Sequence, residues 1–317
     1  MSAAATVTLP GKLAQPRGLS PTAAGAWLQC ELRYAFIFLA GWTEPATIAQ
    51  FTGNVTHRAV EMLYGLKSAE RSRATASELL RLALDEELSK LIYSNLRDLP
   101  GISKTVIASG EDALDGLFDL EEPSRITVDA SGLEVWVNAD LYGAPIRGRI
   151  DRLYDAHGAE VIADYKTGKV PPPAYTKKAF FGLWTYAAGL AAADPDHRLA
   201  DRIELLYLTG RQRLTRPVLR SVALDHARNL AIVWRQILQA AESRQFAARR
   251  SRLCDWCPFK PACPAFGSGP APGTPEHDAR LEELDLRRRG NQGAGTAQDR
   301  YQSESEVEGT PHDYVHS

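Results

Sequence analysis

The chain has 317 residues, 44% hydrophobic and 24% charged, an ordinary balance for a globular protein of one large or two small domains. No apolar run is long enough to span a membrane, and the first residues lack the apolar core of a signal peptide, so a cytoplasmic protein is expected. The net charge of −2 is uneven: residues 276–317 carry ten acids against five bases, net −5, which leaves +3 on the rest. A mildly basic body with an acidic end permits nucleic-acid binding without demanding it.

In chain order, residues 1–17 read as a flexible arm. Ser20-Pro21 opens an amphipathic helix over 20–40, through Trp27, Cys30, Tyr34 and Phe38. Apolar residues at helical spacing predict further helices over 48–65, 76–95 and 109–121. The pattern then switches to alternation, which predicts strands over 125–129, 133–141, 145–154 and 159–166. A helix over 175–193, strands over 202–209 and 217–224, and a helix over 225–245 follow. After Gly267 the composition turns to Gly, Pro, Ser and charge, and only HDARLEELDLRRR reads as a short helix. Helices, a β-meander and then alternating helix and strand predict an α/β fold, a mixed sheet with helices on its faces.

The stretch VIADYKTGK, residues 161–169, ends an apparent buried strand on an acid and a lysine. Side chains alternate along a strand, so Asp164 and Lys166 share one face and Tyr165 takes the other. The strand before it is PIRGRIDRLY, linked through Asp155-Ala156-His157-Gly158. Read as a four-residue hairpin loop, that link pairs Tyr154 with Ala159 and sets Asp151 opposite Ile162. Asp151 then joins Asp164 and Lys166, while Ile146, Ile150, Val161, Ala163 and Tyr165 form the opposite, apolar face. Two carboxylates at that separation suit a hard divalent cation such as Mg²⁺. A lysine beside the ion can orient a water or stabilise developing charge, which is the chemistry of phosphodiester hydrolysis.

Four cysteines occur, Cys30, Cys254, Cys257 and Cys263, three of them within ten residues. Without an export signal, disulfides are not expected. Cys254-x2-Cys257-x5-Cys263 has metal-ligand spacing, and Cys30 completes a set of four thiolates. From spacing alone, tetrahedral Zn²⁺ and a [4Fe–4S] cluster both fit.

With both constellations in view, the chain resembles the PD-(D/E)XK nuclease superfamily over about residues 18–267. Within it, the chain is similar to RecB-type exonuclease domains that carry an iron–sulfur cluster, including CRISPR-associated exonucleases and the AddB nuclease domain. The resemblance rests on LSPTAAGAWLQCELRYAF, TGNVTHRAVE, GRIDRLYD, DYKTGK and CDWCPFKPAC, in the family's order. It implies a restriction-endonuclease-like core with a helical part about 20–121, a catalytic core about 125–245, a cluster loop 251–266 and a mostly disordered tail 268–317. It also implies that His57, Asp151, Asp164 and the Tyr165 carbonyl hold Mg²⁺ or Mn²⁺, and that Lys166 is the catalytic lysine. At the four cysteines it implies [4Fe–4S] ahead of Zn²⁺. Two departures stand out: Gly182 occupies the place of the family's glutamine before Tyr186, and Ile150 precedes Asp151.

The expected function is a metal-dependent DNA exonuclease acting on single-stranded ends. Arg147, Arg149, Arg152, Lys169, Lys177, Lys178 and Tyr186 are the candidate DNA contacts. The competing reading is a weakly active DNA-binding subunit of a larger helicase–nuclease or CRISPR-adaptation complex. No G-x-x-x-x-G-K-[ST] occurs, so a helicase or recombinase partner would supply any ATP-driven motion.

Overall fold

The computed structural model describes residues 5–9, 13–193, 199–266 and 274–283. The chain begins with β1 (Ala5–Thr8), α1 (Pro21–Gln29), α2 (Glu31–Tyr34), α3 (Ile48–Gly65), α4 (Arg73–Ser89), α5 (Ser94–Arg97) and α6 (Ile102–Leu120). Next come β2 (Leu133–Leu141), β3 (Ala144–Ala156), β4 (Ala159–Lys166), α7 (Thr176–Ala179), α8 (Phe181–Ala193), β5 (Arg202–Tyr207) and β6 (Gln212–Pro217). The last described elements are α9 (Arg220–Ser243), β7 (Gln245–Ala248) and α10 (Pro275–Glu283). The described chain divides into two compact units. The larger holds residues 19–22 and 45–232, and the smaller holds the described residues within 1–18, 23–44 and 233–317.

The larger unit is built on a five-stranded mixed sheet, β2-β3-β4-β5-β6, with β4 and β5 parallel and the other pairs antiparallel. A parallel pair needs a crossover, which α7 and α8 provide. On one side of the sheet, Phe51, Val55 and Leu63 of α3, Leu80 of α4 and Leu117 of α6 pack with Val161, Ala163 and Leu206. On the other, Leu183 and Ala187 of α8 pack with Ile162, Ile203 and Leu205. Covered on both faces, β5 is buried from Ile203 to Tyr207, and its buried acid Glu204 is met by arginines.

The hairpin between β3 and β4 is tighter than the four-residue reading. Ala156 pairs with Ala159, and only His157 and Gly158 turn the chain, both left-handed at φ 59° and 85°. Two successive positive φ values make a turn whose twist matches the strands, and Asp155 Oδ1 accepts the Gly158 N–H at 2.7 Å. The register is therefore shifted by two residues: Leu153, not Asp151, lies opposite Ile162, and Arg152 lies opposite Ala163. Continuing that register sets Asp151 across from Asp164. A two-residue shift keeps parity, so the acids still meet.

The apolar face differs from the expected one. Val161, Ala163 and Tyr165 pack with the helices α3, α4 and α6, but Ile150 packs with α8 and Ile162. Tyr154, at the same parity as Ile150 in β3, lies with α3, α4 and α6. The alternation of β3 thus breaks once between Ile150 and Arg152 without a change of register: Leu133 pairs with Arg152 and Val135 with Ile150, and Glu134 between them has a φ of 50°. Asp151 sits at the break.

Just past it, Arg152 is wholly buried, which removes it from the candidate DNA contacts. Glu121 accepts two hydrogen bonds from its guanidinium, at 2.7 and 3.0 Å, and one from Arg213 at 2.8 Å. Arg213 and Arg202 each reach Glu204 at 2.8 Å. The rings of Tyr64, Tyr154 and Tyr165 lie 4.6, 4.4 and 5.4 Å from the Arg152 guanidinium carbon. Burial pushes the Glu121 carboxyl up, but Arg152 outweighs it and the net is below the usual range.

Other expectations move as well. The strand expected over 125–129 is a 3₁₀ turn and coil, whose Pro123 and Ile126 carbonyls accept from Arg71 at 3.2 and 2.8 Å instead of from a neighbouring strand. The strand expected over 217–224 is the start of α9, and the edge strand β6 lies earlier, mostly exposed and so without an apolar signal. Helix α6 starts at Ile102, seven residues before the predicted 109, and the helix expected over 175–193 breaks at Phe180.

In the smaller unit, the expected loose arm contributes β1, antiparallel to β7 with Thr6 opposite Ala247. The helix expected over 20–40 breaks at Cys30, whose backbone is extended at φ −163° and ψ 117°. A π-helical turn follows at Ala35–Leu39. Phe36 packs on Phe259 at 5.2 Å between ring centroids, and on His277 of α10 at 5.5 Å. The short helix predicted near 277–289 is α10; its expected end and the tail beyond Glu283 lie outside the described residues.

Replacing Glu121 by Gln leaves the buried Arg152 charge uncompensated, and stability should fall by about 3 kcal/mol or more. Urea unfolding of E121Q measures it; a loss under about 1 kcal/mol would contradict the network's role.

Candidate active site

Helix α3 presents His57 from a well-capped start. The Thr47 hydroxyl accepts the Gln50 N–H at 3.2 Å and Gln50 Oε1 accepts the Thr47 N–H at 3.0 Å. Gly53, one turn before His57, lies on the same helix face. A Cβ at Gly53 would stand 3.2 Å from Thr167 Oγ1, so the missing side chain lets α3 approach the end of β4. This gives the G-x-x-x-H spacing a physical reason.

His57 Nδ1 then stands 3.3 Å from Asp151 Oδ2, and the Tyr165 N–H donates to that same oxygen at 2.9 Å. Asp164 Oδ2 meets the Lys166 ammonium directly. That oxygen is buried, and the Lys166 ammonium is its partner. The structure therefore brings together His57, Asp151, Asp164 and Lys166 from three separate elements. The Lys166 side chain is 41% exposed, open enough to meet a substrate, while the acids are 16% and 17% exposed.

Burial lowers the His57 imidazole, but the Asp151 carboxylate outweighs it and holds the ring above its usual pKa. Burial raises Asp151, yet His57, Lys166 and the Tyr165 N–H bring it below the usual carboxylate range. Asp164 goes the other way: burial and then the Asp151 charge outweigh Lys166, and its carboxyl is raised. Lys166 is lowered by burial and raised more by the two acids. Adjacent carboxylates pushed apart in this way are the mark of a site that gathers negative charge.

Glu134 is a residue that sequence reading missed. It lies at the β3 break in a left-handed conformation, its carboxylate 2.6 Å from Arg149 Nε. Burial raises its carboxyl to about 7 against the pull of Arg149, and the Asp151 and Glu61 charges add to the rise. An acid at the head of the apolar strand LEVWV was its sequence signal. Glu61, one turn beyond His57, pairs with Arg58 at 2.9 Å.

Of the remaining candidate DNA contacts, Lys169, Lys177 and Lys178 are exposed. Arg149 is held by Glu134 and lies 5.7 Å from the Trp136 ring. Tyr186 packs where a Cβ on Gly148 would come within 2.5 Å of its ring, which makes it a packing residue. Phe180 and Trp184 also pack into the α8 side of the sheet. A Cβ at Gly182 would meet only Pro21, at 3.6 Å, an ordinary van der Waals contact.

In the smaller unit the four cysteines line one pocket, open to solvent, together with Phe36 and Phe259. None is in a disulfide. Burial raises the Cys257 thiol to about 11 and also raises Cys263. Among the described residues, no three His, Cys, Asp or Glu side chains are gathered as a ready metal-binding group, here or around Asp151. The donor types nonetheless fit the implied groups. Two largely buried carboxylates with one imidazole suit a hard divalent ion, while four thiols lining one pocket suit Zn²⁺ or an iron–sulfur cluster.

The family model for the PD-(D/E)XK nuclease superfamily matches residues 18–264. The chain belongs to that superfamily. No curated protein matches it. Among solved structures it is similar to the crystal structure of SSO0001, at 15% identity over 68% of this chain and 86% of that one, with a TM-score of 0.31. Superfamily membership and the mixed sheet flanked by helices agree on the fold class. PD-(D/E)XK proteins are usually nucleases and generally use Mg²⁺ or Mn²⁺, with DNA as the substrate that the fold implies. No helix among the described residues is long and apolar enough to cross a membrane.

Because burial raises the folded carboxyl of Glu134 from its ordinary 4.5 to about 7, the folded protein binds the extra proton between those limits. Its contribution is present below 4.5 and is lost as pH rises through 7. E134Q should therefore gain stability relative to the parent across that window, by up to about 3 kcal/mol. Urea unfolding in EDTA at several pH values measures it; a difference independent of pH would contradict the burial.

Proposed function

We propose that this PD-(D/E)XK protein is a divalent-metal-dependent deoxyribonuclease, an exonuclease acting on single-stranded ends in the cytoplasm. The observation that carries the reading is the convergence of His57, Asp151, Asp164 and Lys166 at one point of the sheet. Asp151, Asp164, His57 and the Tyr165 carbonyl would hold Mg²⁺ or Mn²⁺. When bound, the ion polarises the phosphoryl oxygen and makes a water a better nucleophile. Lys166, charged and partly exposed, orients that water and stabilises charge developing on the phosphate. Lys169, Lys177 and Lys178, on the segment leaving β4, offer exposed ammonium groups for neighbouring phosphates irrespective of sequence.

The four cysteines would hold a [4Fe–4S] cluster, with Zn²⁺ the second choice. Their shared cavity and the break of the first helix at Cys30 support this. A cluster there would join Cys30 to the cysteine loop and stabilise the smaller unit. A RecB-type place in repair, recombination, phage DNA processing or CRISPR adaptation, with a helicase or recombinase as partner, follows from the motifs. One observation favours a second reading, a weakly active DNA-binding subunit: Gly182 leaves the position of the family's glutamine without a side chain.

Cleavage of end-labelled single- and double-stranded DNA separates the two. The nuclease reading expects laddering from one end with Mg²⁺ or Mn²⁺, none with EDTA, and a loss of about a hundredfold or more in Lys166→Ala with DNA binding retained. Equal cleavage by that variant would remove the site; binding without cleavage by the parent would favour the subunit. Cys257→Ser should bleach a brown, anaerobically purified protein and lower its melting temperature. Unchanged iron content and melting would remove the cluster.

A further inference from the structure

The cysteine loop carries a feature that neither the metal site nor the cluster uses. Trp256 is 85% exposed, and Leu253 beside it is 53% exposed. Exposing an indole forgoes the burial of a large apolar surface, so its position calls for a partner. The loop that presents it is ordered by local bonds. The Ser251 hydroxyl accepts the Leu253 N–H at 3.2 Å, and its carbonyl accepts the Cys254 N–H at 3.1 Å. Lys260 pairs with Asp255 at 2.6 Å across the same turns. Trp256 thus stands on a held 3₁₀ segment, Arg252–Trp256.

The surrounding charge is one-sided. Residues 244–260 carry the bases Arg244, Arg249, Arg250, Arg252 and Lys260 against the single acid Asp255. Arg249 is matched by Glu31 at 2.6 Å and Lys260 by Asp255. Arg250 and Arg252 are exposed and have no carboxylate partner among the described residues, and Arg250 lies over the Phe266 ring at 4.6 Å. An exposed indole on the same loop as two guanidinium groups without a carboxylate partner among the described residues is complementary to an unstacked base flanked by phosphates.

We propose that Trp256, with Arg250 and Arg252, forms a single-strand nucleic-acid site on the cysteine loop: the ring stacks on one base and the arginines take the adjoining phosphates. The inference rests on the nuclease reading for its ligand but not on any residue of the cleavage site. A preformed loop gives up little freedom on binding. Every base has a π-face, so the site is tolerant of sequence.

The test uses the full chain with Lys166→Ala, to suppress cleavage, and a labelled oligothymidine followed by fluorescence anisotropy. Trp256→Ala should weaken binding by about tenfold, and Trp256→Tyr should restore most of it. Arg252→Ala should lower the slope of log affinity against log salt by about 0.7. With Lys166 intact, Trp256→Ala should hydrolyse a small phosphodiester such as bis(p-nitrophenyl) phosphate like the parent, which shows that the fold is kept. If Trp256→Ala binds oligothymidine as tightly as its parent while the parent cleaves DNA, the inference is overturned and the nuclease reading stands. A parent that neither binds nor cleaves DNA overturns both. Equal losses in Trp256→Ala and Trp256→Tyr would also overturn the stacking role.

Discussion

A guanidinium shut away from water must be matched in charge and in hydrogen bonds, and much of the larger unit is arranged around meeting that condition for Arg152. Glu121 from the end of α6 supplies the charge, Arg213 and Glu204 extend the network under β5 and β6, and three tyrosine rings enclose it. One of those rings is Tyr165, between Asp164 and Lys166. The network therefore fixes the strand that carries the candidate lysine from the side away from the substrate. Asp151 is one residue from Arg152 across the break in alternation, so the same strand serves a buried ion network and an acidic cleft.

That break also explains what the sequence could and could not convey. The D-x-K strand and its partner carboxylate were legible because strand parity is a short-range property, whereas His57 came only from the resemblance to the family's motif. The hairpin length was misjudged: His157 adopts a left-handed turn with Gly158, which a loop rich in small and polar residues conceals. Parity survived because the error was two residues. Arg152 was misread as a DNA contact because simple alternation gives no hint that its charge meets Glu121, thirty-one residues earlier in the chain. Edge strand β6 was missed for lack of apolar residues, and β1 because its partner β7 is far along the chain. Glu134 entered the site through its left-handed backbone and burial, neither of which spacing reveals.

Each unit gathers one kind of donor. The larger holds oxygen and imidazole groups suited to a hard ion, and the smaller holds thiols suited to a soft one. Cys30 belongs to the smaller unit because the first helix stops there and β1 pairs with β7, so chain ends far apart in sequence make one body.

The central claim is that Asp151, Asp164 and His57 form a divalent-ion site. Mn²⁺ binding followed by electron paramagnetic resonance, in the parent and in Asp151→Asn and Asp164→Asn, tests it without relying on turnover. The account predicts Mn²⁺ bound by the parent and lost or greatly weakened in both variants, with folding retained. Mn²⁺ bound equally by all three proteins would contradict it.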